Sequence, residues 1–515
     1  MAEYLTPGVY VEEYFGPRYG SGYGDARAVA AFVGLADKGP AEPTLITSWN
    51  QFERIFGGFA GPRNYLPYAV HTYFRNGGAR CYIVRAVRAD AVPAETTVTD
   101  NTPADQGGPQ PAVRFVAQAP GSLGNKLSIR ITPTGASGRF NVFILEDGVE
   151  VERFEDLSAD PNDGRYMESI IDSPATGSRL VRMYNLKVEN PEYTYNPDTD
   201  YLPAQTAVFS GGEDGEGPYD FVAAAKKLAD LDVNIDLNLP GETSIQILNE
   251  VIAWAEETKK VFVVVDGPRA AENATSGQVL TGYTAMVSGA TPLLASSFAA
   301  IYGPWIMISD PSSRMYGAVR MIPPGGAVLA KFARNDAVRH VGKTPAGVET
   351  VLDGVVAAET RFSQAELDEA AENHINIIRN VPGYGICIMG GRTLHRELPM
   401  RYISARRTVI YLRKQLSDLT RFAVFEPNGP DLWQEITLRV SQYLGTLARA
   451  GVLGGTNEAE AFSVKCDADI NPPSEVAAGR VNVEVMVALR YPAEFVVIRL
   501  GQTDQGTEIT EFVRR

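Results

Sequence analysis

The sequence predicts an α/β core that carries an inserted β-rich domain and is followed by an α+β C-terminal domain, with extended strand-like arms at both ends. Three observations lead there. Residues 28 to 90 alternate apolar runs with turn signals. From about 91 to 205 the texture changes to short strand-like runs (VRFVAQ, LSIRITPT, FNVFILEDG) separated by Pro, Gly, Asp and Asn, with no helical period before Asp163. Beyond that, VFVVVD at Val261 to Asp266 is a run buried on both faces between helical stretches, the pattern of a parallel strand covered by helices. A chain of 515 residues, at about 100 to 200 residues per domain, holds three or four domains. The expected segmentation is an arm over 1–27, the first part of the core over 28–90, the insertion over 91–205, the rest of the core over 206–380, the C-terminal domain over 381–491 and a second arm over 492–515.

Taken in order, VAAFVGLA, the GPAEP turn, a helical stretch from Trp49 to Phe56 and the strand-like CYIVRAV read as β-α-α-β. Asp220 to Leu231 and Ile245 to Thr258 read as amphipathic helices. Ser276 to Ser309 runs 34 residues without a charge, longer than the roughly 20 that a bilayer span needs. Gly289, Pro292, Gly303, Pro304 and the Ser296-Ser297 pair interrupt it, so LLASSFAAIYGPWIMIS reads instead as a buried helix, a turn and a buried strand. Ser363 with Glu366 forms a capping box for a helix that must end at Pro382. Asp431 with Gln434 caps another, in which Ile436, Val440, Tyr443 and Leu447 recur at helical spacing before Gly451 closes it. VNVEVMVALRY and PAEFVVIRLGQ are two strand-like runs broken at Pro492, and no repeat of solenoid length occurs.

The 47 Lys and Arg against 62 Asp and Glu give a net charge of −15, which works against binding the phosphate backbone of nucleic acid or an anionic lipid surface. Cys81, Cys387 and Cys466 are odd in number and far apart, which fits a reducing compartment and no disulfide framework. The start, MAEYLTPGVYVEE, lacks the basic and apolar regions of a secretory signal. Chemistry is sparse. His71, His340, His374 and His395 have no second His or Cys at a metal-binding spacing. Gly211 to Gly215 lacks the Lys-Ser/Thr of a P-loop and the spaced acids of an EF-hand, so it reads as a tight turn. Gly383, Gly385, Gly390 and Gly391 lack dinucleotide-binding spacing, and no GxSxG elbow appears. No catalytic, cofactor-binding or metal-binding residue is assigned.

Charge distribution does stand out. Glu146 to Asp220 holds 18 acids against 5 bases, whereas Arg392 to Arg421 holds 8 bases against 2 acids. If Tyr402 to Phe422 is helical, Arg406, Arg407, Arg413, Lys414 and Arg421 fall within one arc, opposite Val409, Leu412, Leu416 and Leu419. Such a stripe is either a solvated helix face or a dock for an acidic protein surface. The β-prone runs at the two ends, Gly8 to Glu13 and Phe495 to Leu500, can pair within their own sheet, the ordinary arrangement, or add to a neighbour's edge.

These residues match a family. PGVYVEE (Pro7 to Glu13), AFVGLADKGP (Ala31 to Pro40), LITSWNQFERIFGG (Leu45 to Gly58), GGARCYIVRA (Gly77 to Ala86), SGGEDG (Ser210 to Gly215), Pro304-Trp305, Asp310-Pro311 and Pro323-Pro324 occur in order. The most specific are GGRTL (Gly390 to Leu394), Arg406-Arg407, FEPNGPDLW (Phe425 to Trp433), GVLGGTNEAEAFSVKCD (Gly451 to Asp467) and PAEFVVIRLGQ (Pro492 to Gln502). With these the chain resembles the contractile tail sheath proteins of bacteriophages and of related contractile injection systems, over most of its length except the insertion. Two departures are Thr344 to Gly347, where the family usually has an APAN-like turn, and ALRYPAEF in place of the commoner AP-x-RPAEF.

The resemblance implies a structural protein and no enzyme: a homo-oligomer of stacked six-fold rings wound helically around an inner tail tube, which contracts to drive the tube through a bacterial envelope without a cofactor. It implies a subtilisin-like core, baseplate and tail terminator proteins as further partners, no direct nucleic acid contact and no membrane insertion. The setting is a virion tail or extracellular particle assembled in the host cytoplasm. It also implies strand exchange between subunits through Gly8, Val9, Tyr10, Val11 and Glu12 at one end and Phe495, Val496, Val497, Ile498 and Leu500 at the other, replacing intramolecular pairing. The basic stripe then points to the inner tube, through Arg406, Arg407, Arg413, Lys414 and Arg421, and the acidic insertion points outward. A serine hydrolase is the alternative that a subtilisin-like core raises, although fold is not function. A surface-layer or capsid subunit is a third class, disfavoured by the missing signal segment and by the order of motifs.

Overall fold

The computed structural model describes residues 27–59, 61, 64–134, 138–173, 176–188, 194–196 and 199–494, together with the backbone of 497–503 and 506–512. The described residues form two compact units, one within 27–31, 71–80 and 231–512, the other within 32–70 and 81–230. This division cuts the chain differently from the expected segmentation, since 32–70, 81–90 and 206–230 group with the insertion.

In the first unit, apolar strands stack side by side in parallel. Ile235–Asn238 pairs with Val261–Asp266, which pairs with Ala299–Gly303, which pairs with Ile375–Val381. Gly385–Ile388 closes that end antiparallel. The strand VFVVVD is buried at every position, as its lack of alternation requires. Helices Ile245–Thr258 and Gly325–Val338 pack on it, and Gln364–Glu372 packs on the strand Ile375–Val381 and on the helix Ser276–Ser288. A smaller antiparallel sheet joins Val319–Ile322, Ile306–Ser309 and Val355–Ala358. The C-terminal part has two long helices, Ile403–Thr420 and Pro430–Arg449. Leu432, Ile436, Val440 and Leu444 of the second helix form a core against Leu416, Leu419, Phe462, Val464 and Val485. Phe462–Lys465 and Glu484–Val487 make a two-stranded antiparallel sheet there, and Val497–Thr503 and Gly506–Phe512 make another.

In the second unit, Gln205–Val208, Leu127–Pro133, Arg139–Glu146 and Val149–Ser158 form one antiparallel sheet, and Pro93–Thr99, Pro111–Pro120 and Val181–Asn185 form another. Their alternation puts Ile129, Ile131, Val142 and Ile144 of the one and Val113, Phe115 and Met183 of the other into a single core cluster. The SGGEDG turn buckles this unit. Asp214 accepts from Ser122 N and Oγ at 2.8 and 2.7 Å, and Asp90 accepts from the Glu216 and Gly217 amides at 2.8 and 3.0 Å.

Several expectations need correction. Residues 28 to 90 contain an extra strand, Thr44–Ile46, paired with Cys81–Arg85, so the order is β-β-α-α-β. The helix in the uncharged stretch is Ser276–Ser288, capped by a Thr275–Gln278 box, while Leu293 to Phe298 is a connection into a strand. Among the described residues no helix is long and apolar enough to cross a membrane. The Ser363–Glu366 box exists, but its helix stops at Glu372, where His374 takes a φ of 60° and INIIRNV continues as a strand. Gly429, with Pro430 in the first turn, opens the next long helix in place of Asp431. Asp220 caps a helix of only Phe221–Lys226, which tightens into a 3₁₀ turn over Lys227–Asp230.

The insertion's core sets one expectation. Ile144→Ala, at a fully buried position, should cost about 2–5 kcal/mol. Hydrogen exchange in peptides covering Leu127 to Ser158 should accelerate accordingly, and exchange unchanged from the parent would refute the packing described.

Candidate functional site

The stretch from Tyr402 to Phe422 is expected to present five cations on one helical face; its helix is Ile403–Thr420, and Arg421 lies just past the end in a 3₁₀ turn. The structure divides them. Arg406 and Arg407 are buried, 4% and 3% exposed, and so are withdrawn from the expected contact with an inner tube. The reason lies in their partners. Arg407 donates from Nε and Nη2 to Asp236 at 3.1 and 2.6 Å, and from Nη1 and Nη2 to Asp336 at 3.1 and 2.6 Å. Its guanidinium lies 4.7 Å from the centroid of the Phe332 ring. Burial works against its charge, but the two carboxylates outweigh burial and hold it more firmly protonated than a free arginine. Arg406 donates to Ser297 Oγ at 2.9 Å and lies 4.1 Å from the Phe298 ring centroid. These contacts rivet the first half of the helix to the sheet strand carrying Asp236 and to the helix carrying Asp336.

In the second half Arg413 and Lys414 are half-buried, and Arg421 beyond it is exposed. Lys414 Nζ sits 3.0 Å from Asp232 and 2.9 Å from Asp418, and Arg421 lies 3.2 Å from both. Burial pulls the Lys414 ammonium down in pKa, yet Asp418 and Asp232 more than compensate and raise it. Beside them lies an open cleft of about 170 Å³ lined by Asp232, Asn234, Lys259, Lys260, Arg413 and Lys414, among others. Sequence reasoning missed Lys259 and Lys260. The doublet sits at the mouth of the VFVVVD strand, and only the return of the chain past Arg413 shows that it extends the basic face. Lys259 occupies the left-handed cap of the Ile245–Thr258 helix, with φ 55°.

The strand-exchange residues at the N-terminus, Gly8, Val9, Tyr10, Val11 and Glu12, lie outside the described residues, as do Phe495 and Val496. Val497, Ile498 and Leu500 lie in a strand paired with Gly506–Phe512 of the same chain. Among the described residues, the Phe462–Lys465 and Glu484–Val487 pair has no third strand on either side.

The residues considered for chemistry are scattered. His374 Nδ1 contacts Thr393 O at 2.9 Å and His395 Nδ1 contacts Ala295 O at 3.4 Å, each held by backbone. Among the described residues no group of three or more His, Cys, Asp or Glu could hold a metal ion. Gly211 and Gly215 take φ of 77° and 73°, as a turn requires. One titratable group is unusual. Asp266, at the end of the VFVVVD strand, accepts from Gly325 N at 2.7 Å, Asn238 Nδ2 at 3.0 Å and Gly241 N at 3.2 Å. Burial nevertheless pushes its carboxyl up to about 6. It holds the first turn of the Gly325–Val338 helix, a structural post more than a reacting group.

The chain matches the family model for the phage tail sheath protein central domain over residues 214–394 and that for the phage tail sheath C-terminal domain over residues 398–503. No curated protein matches it. Among solved structures it is similar to the sheath complex of an extracellular contractile injection system, PVC, in the contracted state. That similarity has 21% identity and a TM-score of 0.56, over 98% of this chain and 99% of that one. It is likewise similar to the contracted helical sheath of the anti-feeding prophage, at 19% identity and TM-score 0.57, over 97% and 100% of the two chains. A sheath tail protein from Listeria innocua aligns at 14% identity and TM-score 0.55, over 92% and 97%.

Two outcomes follow from the buried charges. Arg407→Ala strands two carboxylates in the core and should cost about 3–5 kcal/mol in urea unfolding, while Asp236→Asn, Asp336→Asn and Arg407→Met together should recover a large part of it. For Asp266 the folded pKa lies above the ordinary 3.8, so its contribution to stability is fully present below pH 4 and is lost as pH rises to about 6. The loss is on the order of 3 kcal/mol. Unfolding free energy measured at pH 4 and pH 7 should therefore differ less in Asp266→Asn than in the parent, and equal differences would exclude a raised Asp266.

Proposed function

Because the chain belongs to the phage tail sheath protein family, we propose that it is the structural subunit of a contractile sheath, stacked in six-fold rings around a rigid inner tube. Contraction of the sheath drives the tube through a bacterial envelope, with no catalysis by the subunit itself. The observation that carries this reading is the pair of family matches, consecutive and in order across residues 214–503. The core is subtilisin-like in arrangement, and the acidic insertion lies on the outside of the particle. The tail tube, the baseplate and a terminator protein are the partners, in a virion tail or an extracellular particle assembled in the host cytoplasm.

Physical support comes from two places. The two-stranded sheet Phe462–Lys465 with Glu484–Val487 packs on the Pro430–Arg449 helix. Its outer edges offer backbone donors and acceptors to strands lent by neighbours, Gly8 to Glu12 from one and Phe495 to Leu500 from another. Backbone pairing of this kind is strong along the strand yet tolerates rotation at the tether, which suits a mesh that stays connected while subunits slide. The half-buried cations Arg413 and Lys414 and the exposed Arg421, extended by Lys259 and Lys260, face the tube. Exposed ion pairs are worth only about 0.2–1 kcal/mol each, so a contact built of them can release as contraction passes.

Charge reversal at Arg413 and Lys414 should weaken assembly around the tube and leave self-assembly of the sheath intact. Negative-stain electron microscopy with and without tube reads both, and unchanged tube-dependent assembly would refute the assignment. The full chain should form hollow striated cylinders, and a chain lacking Pro492 to Arg515 should form none.

A further inference from the structure

We infer that the ion pair between Arg392 and Glu494 is the anchor of the C-terminal arm, the fixed point from which the Val497–Thr503 strand leaves its domain. The inference rests on the sheath reading above, because only an arm lent to a neighbour needs a fixed root. It begins from two motifs of the sequence, GGRTL and PAEF, whose Arg392 and Glu494 stand 102 residues apart and meet in the fold. Arg392 Nε donates to Glu494 Oε1 at 2.8 Å and Nη2 donates to Oε2 at 2.6 Å, the two-pronged geometry that fixes direction as well as distance. The Tyr402 hydroxyl donates to the same carboxylate at 3.3 Å, and the Tyr402 and Tyr491 rings lie 5.8 Å apart. Four consecutive residues, Tyr491 to Glu494, are thus held at both ends, with Pro492 limiting the backbone between them.

The platform beneath is built to aim the guanidinium. Arg392 N donates to Asn376 Oδ1 at 2.8 Å, and Asn376 Nδ2 donates back to Arg392 O at 2.8 Å and to Ile301 O at 3.0 Å. Arg392 Nη1 donates to Ala371 O at 2.6 Å. The two glycines of the motif let this turn sink in. A Cβ on Gly390 would lie 2.7 Å from Asn376 Cα, and one on Gly391 would lie 2.1 Å from Thr344 Cγ2. Arg392 is therefore tied to the sheet through Asn376, and Glu494 ties the arm to Arg392. The side chains are only 18% and 25% exposed, so the pair is less screened than an ordinary surface pair.

Fixing the root lowers the entropy that the arm would otherwise lose on finding a neighbour's sheet edge. It also supplies a pivot that transmits load from a lent strand to the donor's sheet. Arg392 and Glu494 are positioning residues in this account.

The experiment uses the full chain in three forms: Glu494→Arg, the swap of Arg392→Glu with Glu494→Arg, and Glu494→Gln. In the soluble protein, chymotryptic cleavage after Phe495 should quicken about five- to tenfold in Glu494→Arg and less in Glu494→Gln, with circular dichroism unchanged. The swap should restore resistance, which mere loss of packing would not allow. Cylinder formation should follow the same order. A cleavage rate within twofold of the parent in Glu494→Arg, or no recovery in the swap, overturns the anchor. So does faster cleavage with cylinders formed as readily as by the parent. A parent chain that forms no cylinders even with the inner tube present overturns the sheath reading itself, and the anchor's role in assembly with it, so the two failures are told apart by the parent alone.

Discussion

The contact on which the rest of the C-terminal half depends is the buried cluster of Arg407 with Asp236 and Asp336. One guanidinium joins a strand of the parallel sheet, the Gly325–Val338 helix and the Ile403–Thr420 helix. Two carboxylates and one cation in a dry setting are individually expensive, and the arrangement holds only because four hydrogen bonds, two of them short, and the Phe332 ring surround the charge. An apolar contact of the same size would tolerate sliding. Paired charges do not, since a shift of an ångström or two leaves a buried carboxylate without its donor.

That rigidity matters for a subunit of a contractile sheath. If contraction rearranges subunits against one another, the work must go into the interfaces and not into deforming each subunit. The charges therefore divide by role. Those at the start of the Ile403–Thr420 helix are spent inside the subunit, while Lys414 and Arg421, half a helix further on, share Asp232 and Asp418 at the surface. Exposed, screened and shared pairs exchange partners easily. The Arg392–Glu494 pair lies between these extremes in exposure, at the junction of the domain and its arm.

Much of the fold was legible in the sequence. The helix Ile245–Thr258 and the strand Val261–Asp266 have the bounds read from their periods, because amphipathic and wholly apolar patterns are written within a few residues. The stop at Glu372 was not legible: the turn through Asn373 and His374 uses a left-handed residue that is not glycine, and Pro382 offered a stronger but later signal. The segment from Leu293 to Phe298 read as helix on composition, yet it serves as the approach to a central strand, a tertiary demand that overrode local preference.

The candidate site shows the same division. The sequence by itself determined the family, through ordered motifs from Pro7 to Gln502, and it determined that five cations share an arc of one helix. Only the tertiary structure decided which of them are buried. Asp236 and Asp336 lie 171 and 71 residues from Arg407, and Lys259 and Lys260 reach the basic cleft from a different element. A helical period places side chains by angle, and angle is local. Whether a charge meets a carboxylate or water depends on distances set by packing across the chain, and no local pattern contains them.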